Sequence, residues 1–301
     1  MLLCHAIDTF LKLERALNTT HSYAAFLRHH LLAAFGDSRR LAEITYTDLV
    51  DFTYQLRQKL AASSYQRYLR ILKIFFNWAV QVGYLPASPA AAIPCRKVPR
   101  DRNKSRAIPF AALESMLHHL ECAPRDYAIT LFLAETACRC AAVAYLKIAD
   151  LDMLAHKAQV LEKGGELLVV EFGEMTARAL EKWLAVRPAV KHDHVFMTYG
   201  IKRGGRPMSP PAVTHVIRRA SEIVIGKAYG SHSIRHWVAE YLIQCGQTAH
   251  VVKQKLNHKH LRTTEEYYLP PDDNALVHRA TAIVAQCLSS TTQSPGLNEA
   301  N

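Results

Sequence analysis

Apolar residues recur at helical spacing through most of the N-terminal third of the chain. The pattern predicts four helices, over residues 6–17, 20–35, 48–60 and 65–82. Residues typical of helix boundaries flank them: Gly36 and Gly83 follow the second and fourth helices, Thr47 is placed to cap the third, and Ser63 or Ser64 precedes the fourth. The N-terminal region is therefore predicted to be a small helical bundle.

The rest of the chain combines further helices with one hairpin. Residues 157–163 and 166–172 read as two strands, and Gly164-Gly165 between them suits the positive φ angles of a two-residue turn. Helices are predicted from Pro109 onward and over residues 126–144, 175–186, 211–225, 232–245, 248–256, 263–268 and 275–288. The predicted fold class is mainly α with a small β-hairpin, that is, α+β, with the hairpin in the C-terminal domain.

A basic segment, residues 95–106, separates the two regions. It contains Pro99 and has no apolar period, which is typical of a linker. Six cations lie in it: Arg96, Lys97, Arg100, Arg102, Lys104 and Arg106. The predicted organisation is a helical domain over residues 1–94, this linker, a second domain over residues 107–288, and a polar tail over 289–301 whose composition predicts disorder.

The net charge of the chain is +11, with a pI of about 9.4. This balance favours a polyanionic partner, nucleic acid first and an anionic membrane surface second. Residues 1–106 carry 16 Lys and Arg against 7 Asp and Glu, a net charge of +9, whereas residues 107–301 carry 21 against 19. The excess predicts an N-terminal half that binds DNA along the basic linker. The alternative is a solvated surface that keeps the protein soluble.

Cysteine usage and hydropathy bear on the compartment. The seven cysteines are scattered and odd in number, so no disulfide framework is visible and reduced thiols in a cytosol are expected. The most apolar stretch, residues 129–146, contains Glu135 and Arg139, which favours a buried helix over a membrane span. The N-terminus does not resemble a signal peptide. The predicted location is the cytoplasm, in association with the nucleoid.

Four separated segments hold side chains suited to phosphate chemistry, and the chain has no glycine-rich phosphate loop. Guanidinium groups match the paired oxygens of a phosphate and stay charged, and a tyrosine can attack phosphorus once a base takes its proton. The candidate catalytic residues are Arg139, Lys163, His232, Arg235, His258 and Tyr267. Their motifs are Thr136-Ala-Cys-Arg-Cys, Glu162-Lys-Gly-Gly, His232-Ser-Ile-Arg-His and the run from Leu256 to Tyr267.

In this order, the six residues resemble the active site of the tyrosine recombinases, the phage-type integrases with their Xer- and Cre-like relatives. The resemblance covers nearly the whole chain. It implies that Tyr267 attacks a DNA phosphate to form a 3′-phosphotyrosine and a free 5′-hydroxyl, that Lys163 protonates the leaving oxygen and that His258 donates a hydrogen bond to the phosphate. It implies no metal and no nucleotide cofactor.

Three positions depart from the family pattern. Ala137 replaces a glycine before the first arginine, Ala142 replaces a glutamate three residues after it, and Asn257 replaces a glycine before the second histidine. Asn tolerates left-handed backbone better than most residues, so the last change is mild. The spacing of nine from His258 favours Tyr267 over its neighbour Tyr268 as the nucleophile.

The resemblance also implies an architecture: a two-domain, C-shaped clamp on double-stranded DNA that carries inverted core-type sites. Two protomers would bind one site and four would form the synapse, with a helix over residues 275–288 docking on a neighbouring protomer. Three alternatives stay open: a recombinase fold with impaired catalysis that only binds DNA, a type IB topoisomerase-like activity, and a metalloprotein suggested by the sixteen histidines. Against the last, Ser233 stands where a zinc-protease helix needs Glu.

Overall fold

The protein is seen here in a computed structural model that describes residues 1–13, 17–96, 106–162, 165–199 and 205–257. The chain divides into two compact units, Met1–Asp101 and Arg102–Asn301, so the boundary falls inside the predicted basic linker. The predicted helices at 263–268 and 275–288 and the polar tail lie outside the described residues.

Unit 1 is helical, as the apolar period predicts. Its helices are α1 Leu3–Leu11, α2 Leu17–Phe26, a π-helical segment Leu27–Leu32, α3 Ala33–Phe35, a 3-10 turn Leu41–Glu43, α4 Tyr46–Lys59 and α5 Ala62–Gln81. Aromatic side chains dominate its core, with Phe10 packed edge-on to Phe75 and next to Trp78. Gly36 and Gly83, with φ of +80° and +77°, lie just past the ends of α3 and α5, where the sequence places the helix stops.

The start of α4 corrects one prediction, because Thr45 and not Thr47 caps the helix. The Thr45 hydroxyl accepts a hydrogen bond from the Asp48 backbone N–H at 3.2 Å, and the Asp48 carboxylate accepts one from the Thr45 N–H at 2.9 Å. This reciprocal pair satisfies two N–H groups at the helix start. Both threonines can cap a helix, but only Thr45 lies three residues before Asp48, the spacing that the reciprocal pair of hydrogen bonds needs.

Unit 2 packs helices around a small sheet. The helices are α6 Phe110–Leu120, α7 Pro124–Thr136, α8 Cys140–Tyr145, α9 Glu174–Val186, α10 Pro210–Ile225, α11 Ser231–Gln244 and α12 Ala249–Lys255, with a 3-10 turn Ile148–Asp150. The strands β1 Leu151–Asp152, β2 Lys157–Leu161 and β3 Leu167–Glu171 form an antiparallel sheet in that order. The mainly helical α+β class is confirmed, and β1 is a strand that the sequence pattern missed.

The hairpin connection is longer than predicted. Pairing of β2 with β3 ends at Leu161 opposite Leu167, and the Glu162 N–H then donates to the Glu166 carbonyl oxygen at 2.8 Å. Gly165 has a φ of +82°, so a glycine does supply left-handed backbone here. The prediction of a two-residue turn was therefore wrong, because the strand register leaves five residues between the last paired positions.

The predicted helix over residues 126–144 is in fact two helices. Ala137 adopts left-handed backbone, with φ of +53° and ψ of +20°, and ends α7. Arg139 is extended, with φ of −78° and ψ of +151°, and precedes α8. The apolar period continues across the break because Ala137 and Cys138 are also buried, which is why the sequence reads as one helix. Cys138, predicted on a helix, lies in the break.

The core of unit 2 holds the elements that carry the site. Trp183 of α9 is fully buried, and its indole N–H donates to the Val195 carbonyl oxygen at 2.8 Å. Buried residues of α7, α8, α10 and α11 share this core with β2 and α9. Among the helices that the structure describes, none is long and apolar enough to cross a membrane.

Candidate active site

Arg139 lies at the break between α7 and α8, where its extended backbone directs the chain out of one helix and into the next. Its side chain is 30% exposed, so the guanidinium is accessible to a ligand yet held by the protein. It pairs with the carboxylate of Glu162 at the end of β2. The helix break therefore creates a partly open cation next to the hairpin.

Arg235 is the second arginine of the site, and it is almost completely buried on α11, with 6% of its surface exposed. Its Nη1 donates to the Ala137 carbonyl oxygen and its Nη2 to the Leu256 carbonyl oxygen. Ala137 and Leu256 are the residues that directly follow α7 and α12. One guanidinium thus joins three helices, which suits the rigid fork of five N–H groups on arginine.

The two helix ends that Arg235 contacts share a backbone feature. Ala137 has a φ of +53° and Asn257, directly after Leu256, has a φ of +45°. Asn257 thus adopts the left-handed backbone that asparagine tolerates better than most residues. Ala137 occupies the same kind of position without a side chain that favours it, and a glycine would adopt this backbone at lower cost.

His232 lies one turn before Arg235 on α11, close to the start of the helix. The residue is exposed, but the protein around its ring removes enough water that desolvation, followed by the charges of Arg235 and Arg139, lowers its pKa below the usual 6.5. Both arginines therefore act on this imidazole. A neutral imidazole at neutral pH is able to accept a proton.

Cys138 precedes Arg139, and its buried thiol does not compete as a nucleophile. Burial raises the pKa of Cys138 to about 12, against a smaller lowering by its hydrogen bond with Thr136. The thiolate, not the thiol, is the nucleophile and the metal ligand. Within the described ranges, no group of three or more His, Cys, Asp and Glu side chains is arranged to hold a metal ion.

Three of the six candidate residues, Lys163, His258 and Tyr267, lie outside the described residues. Along the chain, Lys163 directly follows Glu162, and His258 directly follows Asn257. Of the linker cations, Arg96 and Arg106 are described and both are exposed. The other four, Lys97, Arg100, Arg102 and Lys104, also lie outside the described residues.

Glu162 is the site residue that the sequence did not reveal. An acidic residue next to Gly-Gly in a predicted turn is normally solvated, and nothing in the local pattern indicates burial. Its side chain is 2% exposed and contacts Arg139, a residue 23 positions earlier. Only the three-dimensional path of the hairpin past the α7–α8 break brings these two side chains together.

Comparison with known proteins identifies the family. The phage integrase family model matches residues 106–274, more than half of the 301-residue chain. The tyrosine recombinase XerC of Corynebacterium glutamicum is 30% identical over 200 residues, which cover 65% of this chain and 64% of that protein. The XerC of Xylella fastidiosa strain M23 is 27% identical over 268 residues, which cover 86% of this chain and 88% of the relative.

Solved structures share the fold. The Tn1549 transposon integrase in complex with transposon right end DNA matches with a TM-score of 0.74 and 16% identity, over 94% of this chain and all of that one. A lambda integrase dimer bound to a core site matches with a TM-score of 0.68 and 16% identity, over 87% and 96% of the two chains. Together with the arginines and the histidine of the site, the family match leads to one conclusion: the chain belongs to the phage integrase family and is a site-specific tyrosine recombinase.

Proposed function

We propose that this recombinase cleaves DNA through Tyr267, with Arg139, Arg235 and His258 binding the scissile phosphate, His232 as the base and Lys163 as the acid. The observation that supports this assignment best is geometric: His232 lies one turn before Arg235 on α11, and the Arg235 guanidinium donates to the carbonyl of Ala137, two residues before Arg139. Two cations and a proton acceptor, from the α7–α8 break and from α11, are what an attack on a phosphodiester by a phenol needs.

The proposed step conserves the bond energy of the phosphodiester. The Tyr267 oxygen attacks phosphorus and forms a phosphotyrosine bond, while its phenolic proton passes to His232. The bond from phosphorus to the 5′ oxygen breaks, and Lys163 gives that oxygen a proton. Negative charge that builds on the two non-bridging oxygens is met by guanidinium groups already in place, so little reorganisation is required. The free 5′-hydroxyl of another strand can then reverse the step and rejoin DNA.

The DNA-bound assembly is proposed to be a two-domain, C-shaped clamp on a duplex with inverted core-type sites. The linker cations Arg96, Lys97, Arg100, Arg102, Lys104 and Arg106 would follow the phosphates between the domains, and the +9 charge of residues 1–106 supports this. Two protomers would bind one site, as in the lambda integrase dimer bound to a core site, and four would form the synapse. A helix over residues 275–288 would dock between neighbours.

The enzyme is proposed to act in the cytoplasm on nucleoid DNA, where its scattered cysteines would stay reduced. Two assays separate the alternatives. A protein with the recombinase fold that only binds DNA would give no covalent complex in a trapping assay. A topoisomerase-like enzyme would form the covalent complex and relax supercoils, but it would not exchange strands between two duplexes.

Covalent trapping on nicked duplexes tests the assignment. The duplexes carry candidate inverted-repeat sites taken from the DNA that flanks the gene. A nick near the cleavage point is included because it lets the short strand diffuse away after cleavage, which prevents religation. We expect a covalent protein–DNA band on a denaturing gel. Tyr267→Phe should abolish it and the matched Tyr268→Phe should retain it. A band that survives Tyr267→Phe and disappears with Tyr268→Phe would overturn the choice of nucleophile.

A further inference from the structure

Glu162 is a buried carboxylate in a hairpin connection whose other carboxylate is exposed. Its side chain is 2% exposed, whereas Glu166, across the same connection, is exposed. Transfer of a carboxylate out of water costs several kcal/mol unless a partner offsets it. The burial of Glu162 therefore calls for specific contacts.

Among the described residues, the Glu162 carboxylate has two contacts, and both are to Arg139. Oε1 accepts a hydrogen bond from the Arg139 backbone N–H at 3.3 Å, and Oε2 pairs with Nη1 of the guanidinium. Arg139 lies in the α7–α8 break, immediately before α8. The backbone contact ties the carboxylate to the α7–α8 break, and the second contact holds the guanidinium relative to that backbone.

The same residue fixes the hairpin end. The Glu162 N–H donates to the Glu166 carbonyl oxygen at 2.8 Å, and the Glu162 carbonyl oxygen accepts from the Gly165 N–H at 3.2 Å. The main chain of Glu162 thus binds the β2–β3 connection, and its side chain binds the α7–α8 break. Lys163 is the next residue along the chain.

We propose that Glu162 is a positioning residue that holds the Arg139 guanidinium against the end of the β2–β3 hairpin. The inference rests on the proposed function of Arg139. Position 142, where the family pattern has a glutamate, is a fully buried alanine, and Glu162 supplies a carboxylate to Arg139 from another element. Because a guanidinium has five N–H groups, one pairing at Nη1 leaves donors for a phosphate.

A different role would predict the opposite result. If Glu162 instead masked Arg139 until DNA arrived, removal of its charge would speed cleavage and tighten DNA binding. Positioning predicts slower cleavage with DNA affinity unchanged, since a guanidinium that moves freely is rarely in the reactive geometry. The sign of the rate change therefore separates the two roles.

The test is Glu162→Gln, which keeps the shape and one oxygen acceptor. The measurement is the single-turnover rate of covalent complex formation on saturating nicked duplex of the trapping assay, together with the Kd for the same duplex and the Tm. We expect the rate to fall by about tenfold or more, yet by less than the roughly 100- to 1,000-fold that loss of one transition-state hydrogen-bond donor costs. The Kd and the Tm should change little. The matched control Glu166→Gln, on the same connection, should leave all three values as they were.

A second variant separates positioning from a general structural effect. In an Arg139→Lys background, Glu162→Gln should cause a much smaller fall, because the ammonium has no planar fork to hold. Glu162→Asp should recover part of the rate lost in Glu162→Gln. An equal fall in both backgrounds, an unchanged rate or a faster one overturns the inference.

The outcome for Arg139 itself keeps the two proposals apart. Arg139→Ala is expected to abolish trapping. If it does, and Glu162→Gln is silent, only the positioning role fails. If Arg139→Ala traps DNA at the full rate, the proposed assignment of the catalytic residues fails first.

Discussion

Arg235 lies 98 residues after Ala137 in the sequence, yet its guanidinium donates a hydrogen bond to the Ala137 carbonyl oxygen. A second bond, to the Leu256 carbonyl oxygen, makes the same side chain the link between the ends of α7 and α12. A residue proposed to bind the scissile phosphate is therefore also part of the core that shapes the site. Stability and cleavage should respond together when this side chain changes.

Replacement of Arg235 by lysine tests this double role. Lysine keeps the charge, but a single ammonium cannot place donors as the two ends of a fork do, so a buried carbonyl loses its partner. We expect unit 2 to lose about 2 kcal/mol of unfolding free energy and trapping to fall sharply. Urea denaturation followed by circular dichroism gives the first value. Arg219→Lys, at an exposed position of α10, serves as the control and should be silent in both assays.

Ala137→Gly sets two effects against each other. Glycine removes the cost of left-handed backbone, about 1 kcal/mol for an alanine. It also removes a buried methyl group worth about 0.8 kcal/mol from the cluster with Val238 and Leu256. We expect the unfolding free energy to change by less than about 1 kcal/mol, the typical size of either effect. Ala137→Val, which is β-branched at positive φ, should destabilise by more. A large gain for glycine would mean that the methyl group packs poorly.

The pH dependence of cleavage should report His232. Desolvation and the charges of Arg235 and Arg139 hold its pKa below 6.5, so the imidazole is neutral at pH 7 and stays neutral at somewhat lower pH. We expect the acid limb of the single-turnover rate profile to have its midpoint below 6.5, and Arg139→Gln to move the midpoint upward in NMR titration of the ring. A His232 midpoint above 6.5 would contradict this arrangement of charges.

The same shift has a consequence for stability. At pH values near its pKa, the folded protein binds fewer protons at His232 than the unfolded chain does. The stabilisation linked to this group is therefore fully present above the pKa of His232 in the unfolded chain, and it is lost as the pH falls through the lower pKa in the folded protein. His232→Gln should flatten that part of the stability profile. The effect is small, since the residue is exposed.

The cap of α4 allows a paired test within three residues. Thr45→Ala removes the hydroxyl that accepts from the Asp48 N–H and should cost about 1 kcal/mol of unfolding free energy. Thr47→Ala, at an exposed position inside the helix, should cost nothing or stabilise slightly, since alanine is the better helix former. Thermal melts of the two variants and the parent provide the comparison. The reverse order would mean that α4 starts where the sequence pattern placed it.

Linker cations are expected to act through salt. If Arg100 and Arg102 each contact a phosphate, their joint replacement by glutamine should lower the slope of log K against log salt by roughly 0.9 per contact. Affinity should fall for cognate and random duplexes alike, because phosphate contacts carry no base information. Filter binding over a range of salt concentrations measures both. An unchanged slope would leave the segment as a connector only.

Local sequence patterns determined most of the secondary structure. Gly36 and Gly83 end helices because glycine adopts positive φ without strain. Asn257 also has positive φ, which asparagine tolerates better than most residues. The spacing of His232 and Arg235 placed both on one helix, which the structure bears out. The motif order and the family match then identified the class of enzyme. These features depend on a few neighbouring residues, so they can be read without the fold.

What only the tertiary structure decided are contacts between distant segments. The break at Ala137 is invisible in the apolar period because Ala137 and Cys138 are themselves buried, and its left-handed residue presents a carbonyl that Arg235 binds. The burial of Glu162 follows from the path of the hairpin past that break, since a turn glutamate next to glycines has no local reason to leave water. Chemistry-bearing residues could thus be named from the sequence, whereas the partners that hold Arg139 and Arg235 in place depend on the packing of unit 2.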